Sequence, residues 1–310
     1  MIVTVTMNPA IDKTVEIEEL KPGNLNRIER VEYDAGGKGI NVSKTIHELG
    51  GESIAAGFLG GNSGKTIEAV LNSKNIKNDF IWVEGETRTN TKIYEKNGRV
   101  TELNEKGPSI SSRKIENLLC KLDTYAGVDT LFVLAGSVPG TVETEIYARI
   151  IERVHAKGAK VLLDADGALF RSGLKARPDM IKPNEWEIRQ YAGLSCQASE
   201  EELLSIARNF QKEGIKDVVI SMGKKGALFI LGDYEAKGLP LSVNAHSTVG
   251  AGDAMVAAMA YAWDKKLDKE DLIRLCMGSS AGAVTTVGTK PPAREMVDQL
   301  MEQVVIERRR

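Results

Sequence analysis

The chain has 310 residues, with 41 basic against 43 acidic side chains and a formal net charge of −2. So balanced a surface gathers neither nucleic acid nor an anionic membrane, and any anionic ligand has to be held by local groups. Apolar residues make up 42% of the sequence, enough for a sizeable core, yet no apolar run is long enough to span a membrane and residues 1–9 lack the basic start of a signal peptide.

Residues 2–6 are β-branched and end at Asn8-Pro9, which predicts a short buried strand. Residues 14–18 and 27–33 alternate polar and apolar on either side of Lys21-Pro22-Gly23-Asn24, the pattern of strands with one wet face. Asp34-Ala35-Gly36-Gly37-Lys38-Gly39 leads into a helix over 40–49, closed by Gly50-Gly51. A strand at 53–59 and a helix at 63–73 follow. Residues 79–83, 89–96 and 99–103 then alternate again, with Asn97-Gly98 placed as a two-residue hairpin turn.

From residue 112 the pattern becomes regular. Helices are predicted at 112–122, 142–155, 185–191 and 199–212, the last opened by a capping box from Ser199 to Glu202. Strands are predicted at 130–135, 160–163, 179–182, 217–221 and 227–231, and helices near 250–263, 269–287 and 294–305 close the chain. β-branched strands alternating with helices predict a mainly parallel sheet covered on both faces. Segments 12–35 and 78–104 do not fit that core and are expected to form a small antiparallel β lid, within one domain over 1–310. Cys120, Cys196 and Cys276 are far apart and are expected to be buried thiols of a cytosolic protein. The three histidines have no paired spacing for a zinc site.

Two glycine-rich stretches carry chemistry. Ser247-Thr248-Val249-Gly250-Ala251-Gly252-Asp253 opens directly into an apolar helix, so unpaired amides and the helix dipole create a phosphate site there. Asp253 beside it is placed to act on a hydroxyl. Gly36-Gly37-Lys38-Gly39-Ile40-Asn41 permits close backbone approach to a ligand, with a charge at Lys38 and a donor and acceptor at Asn41, chemistry that suits a phosphorylated polyol. Two other stretches are decoys. Gly60-Gly61-Asn62-Ser63-Gly64-Lys65-Thr66 is one residue too short for a P-loop, and Gly250-Ala251-Gly252 lacks the third glycine of a dinucleotide fingerprint.

Together, Gly36-Gly37-Lys38-Gly39-x-Asn41 and Thr248-Val249-Gly250-Ala251-Gly252-Asp253 resemble the two signatures of the ribokinase-like (PfkB) carbohydrate kinases, nearest the branch acting on fructose 1-phosphate and tagatose 6-phosphate. The likeness runs from Thr6-Met7-Asn8-Pro9-Ala10-Ile11-Asp12 to Gly288-Thr289. It implies a three-layer ribokinase-like fold and an ATP- and Mg2+-dependent transfer to a ketose phosphate, with a monovalent cation as a further cofactor. Fructose 1-phosphate is the expected acceptor, and tagatose 6-phosphate and fructose 6-phosphate are the alternatives. Asp253 would be the base, and the Gly250, Ala251 and Gly252 amides the anion hole. Asp12, Gly36, Gly37, Asn41, Asn90 and Ser137 would bind the sugar, while Arg27, Lys38 and Arg88 would hold its phosphate. Lys182, Asn184, Glu187, Ser221, Gly223, Lys224, Gly226 and Gly252 would bind the nucleotide, with Glu187 reaching the metal through water. Asn62 departs from the acidic residue many relatives carry after Gly60-Gly61. Relatives often dimerise through the lid, so a cytoplasmic homodimer is expected.

A helix N-terminus is expected to depress the pKa of Asp253, making it an orienting group more than a strong base. A lid closing over sugar phosphate would exclude water, which competes as an acceptor. Two readings from other classes compete. A non-catalytic sugar-phosphate sensor conflicts with an intact Asp253 and glycine loop, and a dinucleotide-dependent dehydrogenase conflicts with Asn8-Pro9 after the first strand.

Overall fold

The computed structural model describes residues 1–194, 198–244, 246 and 248–309; Cys196 and Ser247, singled out above, lie outside the described residues. From the N-terminus, β1 (Ile2–Thr6) leaves the core for β2 (Ala10–Ile17) and β3 (Arg30–Gly36). The chain returns through α1 (Lys38–Glu48), β4 (Ile54–Gly60), α2 (Gly61–Ser73) and β5 (Lys77–Val83), and departs again as β6 (Arg88–Glu95) and β7 (Val100–Asn104). It re-enters through α3 (Ser112–Tyr125), β8 (Leu131–Ala135), α4 (Ile146–His155), β9 (Lys160–Asp164), α5 (Gly167–Lys175) and β10 (Met180–Ile181). There follow α6 (Glu185–Ala192), α7 (Glu200–Lys212), β11 (Asp217–Ser221), β12 (Ala227–Leu231), β13 (Tyr234–Gly238), α8 (Ala251–Lys265), α9 (Lys269–Ala283), α10 (Arg294–Met301) and β14 (Ile306–Arg308).

The large sheet has the order β14-β13-β12-β11-β10-β9-β8-β1-β4-β5, parallel from β11 to β5 and antiparallel beyond β11. Its strands are apolar on both sides because both faces are covered. Val3, Val5, Phe132 and Leu134 pack in one core with α3, α4, α5 and α7, while Ile2, Leu131 and Val133 turn to the other with α1, α8 and α9. That period of two makes a three-layer α/β/α body, as the resemblance implies. Among the described residues, no helix is long and apolar enough to cross a membrane.

The second sheet has the order β3-β2-β6-β7. It differs from the expected antiparallel lid in one pairing, because β2 and β6 run parallel. Four chain crossings separate these strands from the body, and both β2 and β6 enter the lid from the body side, which fixes their common direction. The row Asp34–Asp12–Asn90–Asn104 crosses all four strands in register, so one face is polar. The row Tyr33–Lys13–Thr91–Leu103 belongs to the opposite face, where Tyr33 and Leu103 are exposed.

Several expectations are corrected. Residues 78–83 are not lid: β5 pairs parallel with β4 over seven positions as the sheet edge, with Phe80 packed beside Ile67 and Leu71 of α2. An edge strand has one wet face too, so alternation alone does not separate the two cases. α5, β13 and β14 were not predicted; β13 is poor in β-formers and exists through its antiparallel pairing with β12. α9 ends at Ala283, four residues early. Cys276 is buried as expected, but Cys120 is exposed on the outer side of α3.

Where β1 meets β4 the backbones approach too closely for a side chain. Gly57 has φ +138°, and a Cβ there would overlap the Thr6 carbonyl. Gly57→Ala is therefore expected to destabilise the protein by on the order of 2 kcal/mol or more. Thermal unfolding followed by circular dichroism checks this, and an unchanged midpoint would contradict it.

Candidate active site

Parallel strands bring their carboxyl ends to one edge of the sheet, where open α/β folds bind ligands. Here those ends supply Thr6 at the end of β1, Gly136 and Ser137 after β8, Asp164 at the end of β9 with Asp166 just beyond it, and Lys182 after β10. The polar lid face hangs over them. Between the two lies a cavity of about 270 Å3, lined by Thr6, Asn8, Gly37, Lys38, Arg88, Asn90, Asn104, Ser137 and Asp166 among others. Glycine is required at its rim: Gly37, the residue before α1, has φ +109°, and a Cβ there would press on Thr6 and Pro9. At Gly36 a Cβ would strike the carboxylate of Asp12.

At the floor, Asp164 is fully buried between two ammonium groups, Lys38 Nζ at 3.1 Å and Lys182 Nζ at 3.2 Å. Burial pushes its pKa up, but the two lysines outweigh this and hold it below the ordinary value. Asp164 in turn raises the pKa of Lys38, which stays charged. Asp253 lies beside this cluster, buried, and accepts from Asn41 Nδ2 at 2.8 Å. Its pKa is raised to about 6: burial is the largest cause, Asp164 adds to it, and Lys38, Asn41 and Lys182 oppose. The depressed value expected from the helix terminus is thus reversed. Desolvation of a fully buried carboxylate exceeds what a helix end returns.

Gly250 precedes α8 with φ +85° and ψ −15°, and among the described residues no side chain caps the helix. Its first amides are left for a ligand, which suits an anion. Lys182 Nζ lies 3.5 Å from where a Gly252 Cβ would stand, joining this terminus to the lysine pair. Asn184 and Ser221 form a parallel bridge that sets the two expected nucleotide segments side by side. Beyond Ser221, Gly223 and Lys224 are exposed, and Gly226 takes a positive φ where a Cβ would overlap the Gly238 carbonyl.

A family profile described as pfkB family carbohydrate kinase matches residues 3–296. A 1-phosphofructokinase of Borreliella burgdorferi is 36% identical over 308 residues, covering 99% of this chain and 98% of that relative. One of Bacillus subtilis is 34% identical, covering 99% and 100%. The crystal structure of phosphofructokinase-2 from Escherichia coli in complex with potassium superposes with a TM-score of 0.92 at 24% identity, covering 97% of this chain and 98% of that one. The chain belongs to the pfkB family of carbohydrate kinases.

Within this pfkB chain the structure gathers most of the residues picked out from sequence. On the lid, Asn90 Nδ2 donates to Asp12 Oδ1 at 3.2 Å because β2 and β6 place them opposite each other. Burial raises the pKa of Asp12. Arg88 lines the cavity while its Nε and Nη2 donate to Asn8 O and its Nη1 to Glu105 O. Asn184 and Glu187 form a reciprocal capping box on α6, with Glu187 Oε2 accepting from Asn184 N at 2.8 Å. Glu187 Oε1 takes no part in that box, and burial raises the group's pKa. Arg27 is the exception: it lies exposed in the connection between β2 and β3, away from the cavity lining. That connection runs past the outer end of the lid, while the site lies at its inner end.

Sequence reasoning passed over Asp164, Asp166, Asn8 and Asn104. Asp164 had a usable signal, an acidic residue closing a buried apolar strand at the carboxyl edge of a parallel sheet. Asn8 Oδ1 is buried without a partner, as is Thr6 Oγ1 nearby, and both residues line the cavity.

In this pfkB site a carboxylate at Asp253 is largely protonated below pH 6 and ionised above it. We expect kcat/KM to fall on the acid side near pH 6, and Asn41→Leu, which removes a hydrogen bond to the charged form, to move that limb upward. The substrate's own titration is the same for both proteins, so the difference between their pH profiles isolates the enzyme. Coincident profiles would overturn this assignment.

Proposed function

We propose that the protein transfers the γ-phosphoryl group of ATP to the 6-hydroxyl of fructose 1-phosphate, giving fructose 1,6-bisphosphate and ADP. The observation that carries this reading is the juxtaposition of two anion sites around one buried carboxylate. Asp253 stands in the first turn of α8, whose start has no side-chain cap among the described residues, and it is linked through Asn41 and Lys38 of α1 to the cavity that Lys38 and Arg88 line. Relatives named 1-phosphofructokinase over nearly the full chain favour fructose 1-phosphate over tagatose 6-phosphate or fructose 6-phosphate.

In this mechanism the lid row Asp12–Asn90 and Asn41 hold sugar hydroxyls, with Gly37 and Ser137 shaping the pocket. Arg88 keeps two N–H groups beyond those given to Asn8 and Glu105, and with Lys38 it meets the substrate's phosphate. Asp253 accepts the proton of the 6-hydroxyl as that oxygen bonds to the γ-phosphorus and the bond to the ADP oxygen breaks. A pKa near 6 leaves it ionised at neutral pH yet more basic than an ordinary aspartate. The amides of Gly250, Ala251 and Gly252 face the charge on the transferring group, the main demand of a loose phosphoryl-transfer transition state. Lys182, Asn184, Ser221, Gly223, Lys224 and Gly226 form the nucleotide side.

Among the described residues no three His, Cys, Asp or Glu side chains cluster as metal ligands. A donor set this sparse fits Mg2+, which keeps its waters and is held mainly by nucleotide phosphates. Glu187 Oε1 is the group offered to one of those waters. When bound, Mg2+ offsets phosphate charge. Potassium is present in the Escherichia coli phosphofructokinase-2 structure, and activation by a monovalent cation belongs to this proposal. So does a cytoplasmic homodimer through the outer lid face, where Leu25, Ile28, Val31, Tyr33 and Leu103 are exposed.

A coupled ADP-release assay over the three ketose phosphates and their unphosphorylated sugars tests the reading. We expect the highest kcat/KM with fructose 1-phosphate; binding without ADP release would favour the sensor. Asp253→Asn should cut kcat by about 100-fold or more, and Arg88→Ala should raise KM for the sugar phosphate by roughly tenfold or more. For the lid, light scattering should report a dimer that Leu103→Glu converts to monomer, and a wild-type monomer at micromolar concentration refutes the interface.

A further inference from the structure

The P-loop-like stretch at Gly60-Gly61-Asn62-Ser63 has a partner in the structure. The N-terminus of α2 holds the carboxylate of Glu86: Asn62 N donates to Oε1 and Ser63 N to Oε2, both at 3.1 Å. Both glycines are needed for this. Gly61 has φ +61°, and a Cβ there would occupy the space of the Glu86 carboxyl group, while one on Gly60 would strike the Gly85 carbonyl. The next residue, Thr87, is buried and tied twice to Gly60: its Oγ1 accepts from Gly60 N at 2.9 Å, and its own N donates to Gly60 O at 2.9 Å. Four hydrogen bonds therefore pin 86–87 to the start of α2, and Arg88 follows at once as the first residue of the lid strand β6.

We propose that Glu86 is a positioning residue, whose carboxylate, seated on the amides that open α2, fixes the strap 84–87 so that Arg88 enters the cavity at the place where it meets the substrate's phosphate. The internal carboxylate takes the position that a phosphate takes on a P-loop helix, which accounts for glycines there without nucleotide binding. Charge-assisted bonds to two amides hold the acid ionised, and the pKa of Glu86 is accordingly lowered, with the Asn62 and Ser63 amides as the leading causes. Arg88 also ties Asn8 O and Glu105 O, which belong to two other crossings between body and lid. A displaced strap therefore loosens three of the four crossings together.

This inference rests on the proposed role of Arg88 and is tested with E86A and E86Q in the full-length protein. We expect KM for the sugar phosphate to rise by roughly fivefold or more in E86A and by less in E86Q, since small displacements of a positioning group weaken binding steeply. KM for ATP and kcat should stay within about twofold, because α8 and its amides are untouched. Hydrogen exchange measured in parallel should show lost protection over 84–92 in E86A with the remaining exchange pattern unchanged, which also reports that the variant is folded. A sugar-phosphate KM unchanged in E86A, a rise in both KM values together, or unaltered protection over 84–92 would each overturn the proposal. If the wild-type protein transfers phosphate to no sugar phosphate, the functional reading fails, while the exchange data still decide whether Glu86 anchors the strap.

Discussion

The site depends on one buried carboxylate held between two ammonium groups. Asp164 closes β9, Lys38 opens α1 and Lys182 follows β10, so a single charge cluster joins three segments that are distant in sequence. Removing a carboxylate from water is costly and is offset only where its partners are close and well aligned. Two lysines around one carboxylate supply that offset, and the second positive charge balances the carboxylate of Asp253 beside them. The same cluster sets the environment of Asp253, whose pKa reflects burial first and the balance of Asp164 against Lys38 and Lys182 second.

The lid adds what the body lacks. A parallel sheet presents loop ends and helix starts at its carboxyl edge, which suits phosphate but offers few groups for sugar hydroxyls. A four-stranded lid with Asp34, Asp12, Asn90 and Asn104 in one row places carboxylates and amides over that edge. Its two faces have opposite character because side chains alternate along each strand. The polar face looks onto the cavity, and the apolar face is left for a partner or for solvent. Four backbone crossings carry the lid, and side chains fasten them: Arg88 to Asn8 and Glu105, Glu86 to α2, and Lys44 to the Ala35 carbonyl at 2.7 Å. Lys44 is buried to hold that carbonyl, and burial lowers its pKa while Asp34, Asp12 and Asp253 resist the change.

The mechanism also sharpens the part played by Asp253. A carboxylate at a helix start would ordinarily be a weak base, suited to orienting a hydroxyl. Full burial changes the balance, so in the proposed transfer the group would both orient the hydroxyl and have the proton affinity to receive its proton late. Asn41 keeps one carboxylate oxygen in place, and among the described residues no side chain caps the start of α8, which the proposed mechanism turns toward phosphate.

Much of this was legible in the sequence because it is written in local rules. Strand and helix alternation gave the layered body, β-branched runs gave the buried strands, and glycines before helices marked the two loops that end in Lys38 and Asp253. The capping box of Ser199 and Glu202 was likewise local. Tertiary structure alone decided the rest. Whether 78–83 joined the lid or the body depended on which neighbour supplied hydrogen bonds, and the period of two is the same in both. The parallel pairing of β2 with β6, which puts Asn90 on Asp12, follows from chain crossings that no local pattern encodes. Desolvation is a property of everything packed around a group, so the direction of the Asp253 shift could be read only from the folded chain.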